Sequence, residues 1–445
     1  MPTFAELEQL LRSRTASARA LTEHCLAAAA DPAGEGIRTY TERYEAEALE
    51  QAERCDERCA RGEPVRALEG VPISIKDLFD VAGRVTRAGS VVLEGAPPAG
   101  ADAPVVASLR AAGAVILGRT NMTEFAYSGL GLNPHFGTPR NPYDRAAGRI
   151  PGGSSSGAAV SVTDGMAAVA IGSDTGGSVR IPAALCGIVG WKPTAARISR
   201  DGVLPLSRSF DSIGPLAADL AGCLRIDAVL TGMASPPPAA LPGLRLAVPR
   251  ELRSLDTDAS VAAAIDRALG RIARAGVELE ERPIPELETI PETGLGPIIV
   301  GAEAYAWHRS LIERSGARYD PRVRARLELG AAFPAWRYLE ALELRAQHIA
   351  AARAALAGCA GWLMPTVPIV APLLAQLEDD AAYLATNRLV LRNSSIVNFL
   401  DGCALSLPCH RPGEAPVGLT IAGLAHWDAR ILALAQSLEP VLRAA

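Results

Sequence analysis

The sequence predicts an α/β fold, and three observations carry that reading. Apolar, strand-like runs alternate with helical stretches up to about residue 230. A fresh βαβ-like unit follows over 244–279. Two late apolar runs, 361–365 and 404–408, read as further core strands.

Taken in order, residues 1–65 read as helices. Segment 6–11 has helical spacing, Ser17 is placed to cap the next helix, and 42–61 is charged and free of breakers. Residues 70–76 read as a strand, 104–112 as a helix and 114–118 as a second strand, opening an alternating core over 66–230. Ser235-Pro236-Pro237-Pro238 and Leu241-Pro242-Gly243 mark a Pro-rich connector over 235–243. Beyond it, 244–248 is a strand, 260–275 a helix and 277–279 a strand. Residues 300–358 are rich in Arg, Ala and Leu and read as helical. Strand-like segments stand on both sides of the connector. That favours a surface excursion within one continuous sheet, so 1–445 is read as one domain, with 244–445 completing sheet and pocket.

At 445 residues, 49% hydrophobic and 21% charged, the chain can bury a large core and has an ordinary surface. A net charge of −5 argues against nucleic acid or an anionic membrane as partner. Of the eight cysteines none forms C-x-x-C. Cys55 and Cys59 are helix-spaced, but no second Cys/His pair completes a zinc site. Buried free thiols in a reducing cytosol are the default. The start, Met-Pro-Thr-Phe-Ala-Glu-Leu-Glu, is acidic and amphipathic, without signal-peptide character. No apolar run reaches the roughly 18–20 residues of a membrane span. The expectation is a soluble cytoplasmic protein with no metal site.

Among 44 Lys+Arg residues, only Lys76 and Lys192 are lysine. A chain so biased uses Arg wherever charge alone suffices. Arg does not give up its proton, whereas a buried Lys can. A retained Lys therefore marks a candidate neutral amine; the plain alternative is survival by chance. Lys76 ends the apolar run Gly70-Val71-Pro72-Ile73-Ser74-Ile75-Lys76, and Lys192 lies in Trp191-Lys192-Pro193-Thr194.

Two glycine-serine loops carry the chemistry. Pro151-Gly152-Gly153-Ser154-Ser155-Ser156-Gly157 opens an Ala-rich helix. Gly172-Ser173-Asp174-Thr175-Gly176-Gly177-Ser178 follows the strand-like run 168–171. Glycine lets other atoms approach the backbone closely. A serine in such a loop has neighbouring N–H groups that can hold a developing oxyanion. A flexible linker is disfavoured by shortness and apolar flanks. A phosphate cradle lacks Gly-x-x-x-x-Gly-Lys-[Ser/Thr] and Gly-x-Gly-x-x-Gly. A Gly-x-Ser-x-Gly elbow is available at 153–157 with Ser155 as nucleophile, but it needs a downstream acid and histidine. None of the six histidines lies inside the loops. Lys76, with its pKa pushed down by burial, is the better base for a serine nucleophile.

Lys76 in Gly-Val-Pro-Ile-Ser-Ile-Lys-Asp, then Gly-Gly-Ser-Ser-Ser-Gly, then Asp-Thr-Gly-Gly-Ser-Val-Arg-Ile-Pro-Ala, resembles the amidase signature family. So do Gly118-Arg119-Thr120-Asn121-Met122-Thr123-Glu124-Phe125, Asp211-Ser212-Ile213-Gly214-Pro215-Leu216 and Met364-Pro365-Thr366. The likeness therefore spans most of the chain, with Ser154 and Ser178 24 residues apart. It implies a large twisted mixed β-sheet flanked by helices on both faces. It implies Ser178 as acylated nucleophile, Ser154 as relay serine after a cis peptide bond, and Lys76 as base. Backbone N–H groups across Thr175, Gly176, Gly177 and Ser178 would form the oxyanion hole. Ala126, Tyr127 and Ser128 fall where the family contacts substrate.

The implied activity is hydrolysis of a small-molecule amide without metal or organic cofactor, by a chain for which a homodimer is left open. The alternatives are the amidase subunit of a tRNA-dependent amidotransferase, and hydrolysis of a carbamate, urea or ester. Residues 300–350 look more like those of general amidases than of that subunit. Arg119 stands where the family often has Lys, and Ser156 where many relatives have Gly. Ser156, Asp174 and Arg180 read as loop support, Lys192 as a turn brace, and His135 as a packed residue. Asp77 is expected to point away from Lys76.

Overall fold

The computed structural model describes residues 3–443, so the first two residues of the acidic N-terminal segment lie outside it. Eleven strands form one mixed sheet. In chain order they are β1 (Tyr40–Arg43), β2 (Pro72–Lys76), β3 (Val115–Thr120), β4 (Val169–Asp174), β5 (Val189–Lys192), β6 (Ser212–Ala217), β7 (Arg245–Pro249), β8 (Glu278–Arg282), β9 (Trp362–Pro365), β10 (Cys403–Pro408) and β11 (Gly418–Gly423). Their order across the sheet is β1-β3-β2-β4-β6-β5-β10-β11-β9-β7-β8. β2 runs parallel to β3 and β4, and β7 runs parallel to β8 and β9. The middle of the sheet is antiparallel, and β5 and β10 pair across the two halves of the chain.

Both faces are covered, because every residue of β2, β3, β4, β5, β6 and β11 is buried. Alternate residues feed different cores. Val169 and Ile171 enter the main cluster, while Ala170 packs with the helices Ser156–Thr163 and Arg180–Cys186. Leu363 faces that main cluster, and Trp362 and Met364 face a second one under the helix Ala335–Ala355.

The N-terminal region departs from the all-helical expectation. Tyr40-Thr41-Glu42-Arg43 is a strand pairing antiparallel with β3, and the helix begins at Glu45. Tyr and Thr favour the pleated edge of a sheet, and that tertiary pairing outweighs the continuing charge pattern. Ser17 does cap its helix, accepting from Ala20 N–H at 3.0 Å. Seven of the eight free cysteines are buried, and Cys59 is half-buried. Among the described residues no helix is long and apolar enough to cross a membrane.

Candidate active site

Lys76 closes β2, and β4 lies beside it in parallel register. Their carboxyl ends therefore meet, the usual position of a site in an α/β sheet. Lys76 is fully buried, with Nζ 2.7 Å from Ser154 Oγ, 2.9 Å from Ser173 Oγ and 3.5 Å from Ser173 O. Burial pushes its pKa down from 10.5 to about 7, against the opposing pull of Asp174 and Asp211. Near neutral pH the amine thus holds a usable lone pair.

Ser154 follows a cis Gly153–Ser154 peptide and precedes the helix Ser156–Thr163. Its carbonyl accepts from Thr123 N–H at 3.1 Å, tying the loop to the segment that follows β3. Ser178 precedes the helix Arg180–Cys186. Its carbonyl accepts from Ser155 N–H at 3.3 Å, while its Oγ has no hydrogen-bond partner among the described residues. The structure therefore joins Lys76 to Ser154 and sets Ser178 in the adjoining loop without a Ser154–Ser178 hydrogen bond.

The 174–178 loop is held by a buried ionic knot. Asp174 accepts from Gly177 N–H (2.9 Å), Val179 N–H (3.1 Å), Arg180 Nε (3.0 Å) and Nη2 (2.9 Å), and Asn398 Nδ2 (2.8 Å). Burial pushes the Asp174 carboxyl up, but the Arg180 guanidinium and these bonds outweigh it and hold it well below the carboxylate range. Gly177 sits at φ +132°, where a Cβ would lie 2.2 Å from Ser394 Oγ. Only glycine fits there. Its N–H donates to Asp174 Oδ1 at 2.9 Å. The N–H groups of Thr175, Gly176 and Ser178 have no partner among the described residues. Thr175 Oγ1 donates to Asp211 at 2.5 Å, and burial pushes Asp211 up to about 6.

A cavity of about 570 Å³ opens at Ser178. Ala126, Tyr127, Ser128, Thr175 and Gly176 line it, whereas Gly177, Lys76 and Ser154 are not among its lining residues. Ala126 is held at φ +60°. Ser128 Oγ donates to Asn387 Oδ1 at 2.9 Å.

Sequence reasoning did not find Ser173 as a second hydroxyl on Lys76. It also missed the bracing helix Asp380–Phe399. From that helix Asn387 Oδ1 accepts from Ser128 Oγ and Gly129 N–H, Ser394 Oγ donates to Gly176 O at 2.7 Å, and Asn398 joins Asp174 and Arg180. Ser173 was detectable, since it lies in the second glycine-serine loop, two residues from Thr175.

Other residues take the supporting places expected. Lys192 Nζ donates to Pro193 O (2.8 Å) and Gly402 O (2.6 Å). Asp77 accepts from Gly89 N–H (3.0 Å) and Arg119 Nη1 (3.4 Å). His135 Nε2 meets Glu124 Oε1 at 2.8 Å. Ser156 is buried, its Oγ donating to Asn121 O at 3.4 Å. Among the described residues no group of three or more His, Cys, Asp or Glu side chains is arranged to hold a metal ion.

The profile of the family described as Amidase matches residues 20–432. A 2-amino-5-chloromuconic acid deaminase from Comamonas testosteroni is 34% identical, over 99% of this chain and 96% of its own. A glutamyl-tRNA(Gln) amidotransferase subunit from Anaeromyxobacter dehalogenans is 36% identical, over 87% of this chain and 86% of its own. A crystal structure of an amidase superposes with a TM-score of 0.89 at 31% identity, covering 99% of both chains.

Proposed function

The chain belongs to the amidase family, and from that premise we propose that it hydrolyses the C–N bond of an amide through an ester on Ser178. One observation carries the mechanism: a fully buried Lys76 amine, its charge disfavoured, 2.7 Å from Ser154 Oγ.

The steps follow from that contact. Neutral Lys76 accepts the Ser154 proton while Ser154 accepts that of Ser178. The Ser154–Ser178 hydrogen bond forms as substrate settles, since such bonds tighten in the loaded enzyme. Ser178 Oγ attacks the carbonyl carbon. The unpartnered N–H groups at Thr175, Gly176 and Ser178 stabilise the oxyanion. As the C–N bond breaks, the proton returns through Ser154 to the leaving amine. Water then attacks the ester by the reverse relay and frees the acid and Ser178.

A second reading, the amidase subunit of a tRNA-dependent amidotransferase, is favoured by the 36% identity to a protein of that kind. The free-standing reading has the support of end-to-end superposition on an amidase. Carbamates, ureas and esters share the tetrahedral chemistry and stay in the substrate set.

The test is release of ammonia or amine from aliphatic amides, aryl amides, half-amides, ureas and carbamates, with Ser178→Ala as blank. Ser178-dependent turnover by the chain alone supports the proposal. Turnover only of glutamine or asparagine, and only with a partner protein, would transfer the case to the second reading.

A further inference from the structure

The wall of the cavity beyond Ser178 is apolar, with Phe210, Phe333, Phe399 and Val300 among its residues. Three arginines break that surface, Arg326, Arg388 and Arg392, against one acid, Asp256. Arg388 and Arg392 stand four residues apart, on one face of the helix Asp380–Phe399.

Arg392 is the unusual one. Its side chain is 11% exposed, and Nη1 and Nη2 are both buried without a hydrogen-bond partner among the described residues. Its Nε is fixed on Asn393 Oδ1 at 3.0 Å. Asp256 Oδ2 comes only to 3.8 Å of Nη1 and is itself 72% exposed, so it compensates the charge weakly. Burial works against the guanidinium's charge.

Neighbouring arginines are better served. Arg345 donates to the carbonyls of Phe399, Ser209 and Asn398 and lies 4.3 Å from the Phe210 ring centre. Arg326 donates to Tyr127 O and stacks 4.4 Å from the Tyr127 ring centre. A buried guanidinium with two idle nitrogens is costly to keep. A carboxylate offers two coplanar oxygens that match those nitrogens as a fork.

We propose that this cavity selects amides carrying a carboxylate, and that Arg392 receives it. The proposal rests on the amide-hydrolase reading above for the reaction, but not for the binding. The carboxylate can sit on the acyl side, as in a half-amide of a dicarboxylic acid, or on the amine side, as in an N-acyl amino acid. The apolar wall then packs the body of the molecule, and 570 Å³ suits a small ligand.

The experiment compares matched pairs with the full chain: glutaramic acid against valeramide, and N-acetylalanine against N-ethylacetamide. In each pair kcat/KM for the acid is expected to exceed that of the neutral amide about 10- to 100-fold, the range of a hydrogen-bonded charge. Arg392→Gln is expected to erase most of that ratio, chiefly through KM of the acid. The pair showing the ratio assigns the side of the carboxylate. Equal or better turnover of the neutral members would overturn the proposal, as would an unchanged ratio in Arg392→Gln.

A binding arm separates this from failure of the reaction. Calorimetric titration of Ser178→Ala with malonate, succinate, glutarate, adipate and N-acetylglutamate is expected to show binding that Ser178→Ala/Arg392→Gln loses. If no amide is turned over yet this binding appears, the amide-hydrolase reading falls and the carboxylate site stands. If none binds and no ratio appears, the carboxylate site falls. Arg392→Gln is expected to melt no lower than the wild type, because it removes an uncompensated buried charge. If it does not fold, Arg392→Lys, which keeps charge but not the fork, is put through the same pairs and must lower the ratio.

Discussion

At the residue scale the proposed chemistry turns on one amine. Arg cannot act as a base near neutral pH, so Lys76→Arg should abolish turnover, and near-wild-type activity in a folded variant would remove Lys76 from the mechanism. Within the serine run 154–156 the hydroxyl on Lys76 belongs to Ser154, whereas Ser155 Oγ donates to Ser173 O at 3.4 Å. Ser154→Ala is therefore expected to slow single-turnover acylation at least about 100-fold, and Ser155→Ala far less; the reverse ranking would reassign the relay. Because only the neutral amine accepts a proton, kcat/KM should rise with pH through about 7. The same shift has a stability consequence. In the unfolded chain Lys76 titrates near 10.5, so its burial penalty is full below about 7, shrinks as pH rises and vanishes above 10.5. Lys76→Met should gain stability relative to wild type more at pH 7 than at pH 9.5. The hydrogen bonds that Nζ makes to Ser154 and Ser173 disappear in that variant at either pH, a constant offset. A stability difference that does not change with pH would therefore show that the amine is not held neutral.

At the scale of elements, the loop that presents Ser178 is set by the strand before it, the helix after it and a helix some 200 residues away. Asp174 ends β4, and its carboxylate ties Gly177 and Val179 to Arg180 and Asn398. Asp174→Ala would leave Arg180 buried and uncompensated. A loss of about 3–5 kcal/mol in denaturant unfolding is expected, with loss of turnover even where the variant folds. A loss under about 1 kcal/mol would mean the knot does not shape the loop. The two loops were legible because their glycines and serines are adjacent in the chain, and Lys76 because lysine is so rare in it. The clamp from Asn387, Ser394 and Asn398 was not, because hydrogen bonds between residues over 200 apart leave no local spacing to read. β1 was missed for a related reason: four residues at a sheet edge take their state from β3, not from their own pattern. Of the six-residue strands, β3, β4 and β10 fell where the apolar pattern put them, whereas β6 and β11 were not read as strands.

At the scale of the molecule, the catalytic candidates precede the Pro-rich connector, while Arg392 and Phe399 on the cavity wall follow it. What joins the halves is the β5–β10 seam, with Leu405 opposite Trp191, Ala404 opposite Lys192, and Lys192 Nζ on Gly402 O across it. Thr194 adds two bonds to Asp428, at 2.8 and 2.7 Å. The connector itself is mostly exposed; it bonds the final helix, Asp428–Arg443, through Gln436 on Pro236 O, Ser437 on Ala239 O and Ala239 N–H on Ala433 O, and its end bonds Gly276 O through Gly243 N–H. If the seam, not the connector, makes the halves one unit, lengthening the connector should matter little. Eight Gly/Ser residues inserted between Ala234 and Ser235 are expected to cost only about 0.6 kcal/mol, the entropy of doubling a loop. Turnover should persist, with Tm lowered by less than about 3 °C. Thermal unfolding followed by far-ultraviolet circular dichroism and by tryptophan fluorescence should give coincident curves, since Trp191 and Trp362 are fully buried on either side of the seam. Two resolved transitions, or turnover lost on insertion, would mean that the connector separates two units and that the cavity is assembled between them.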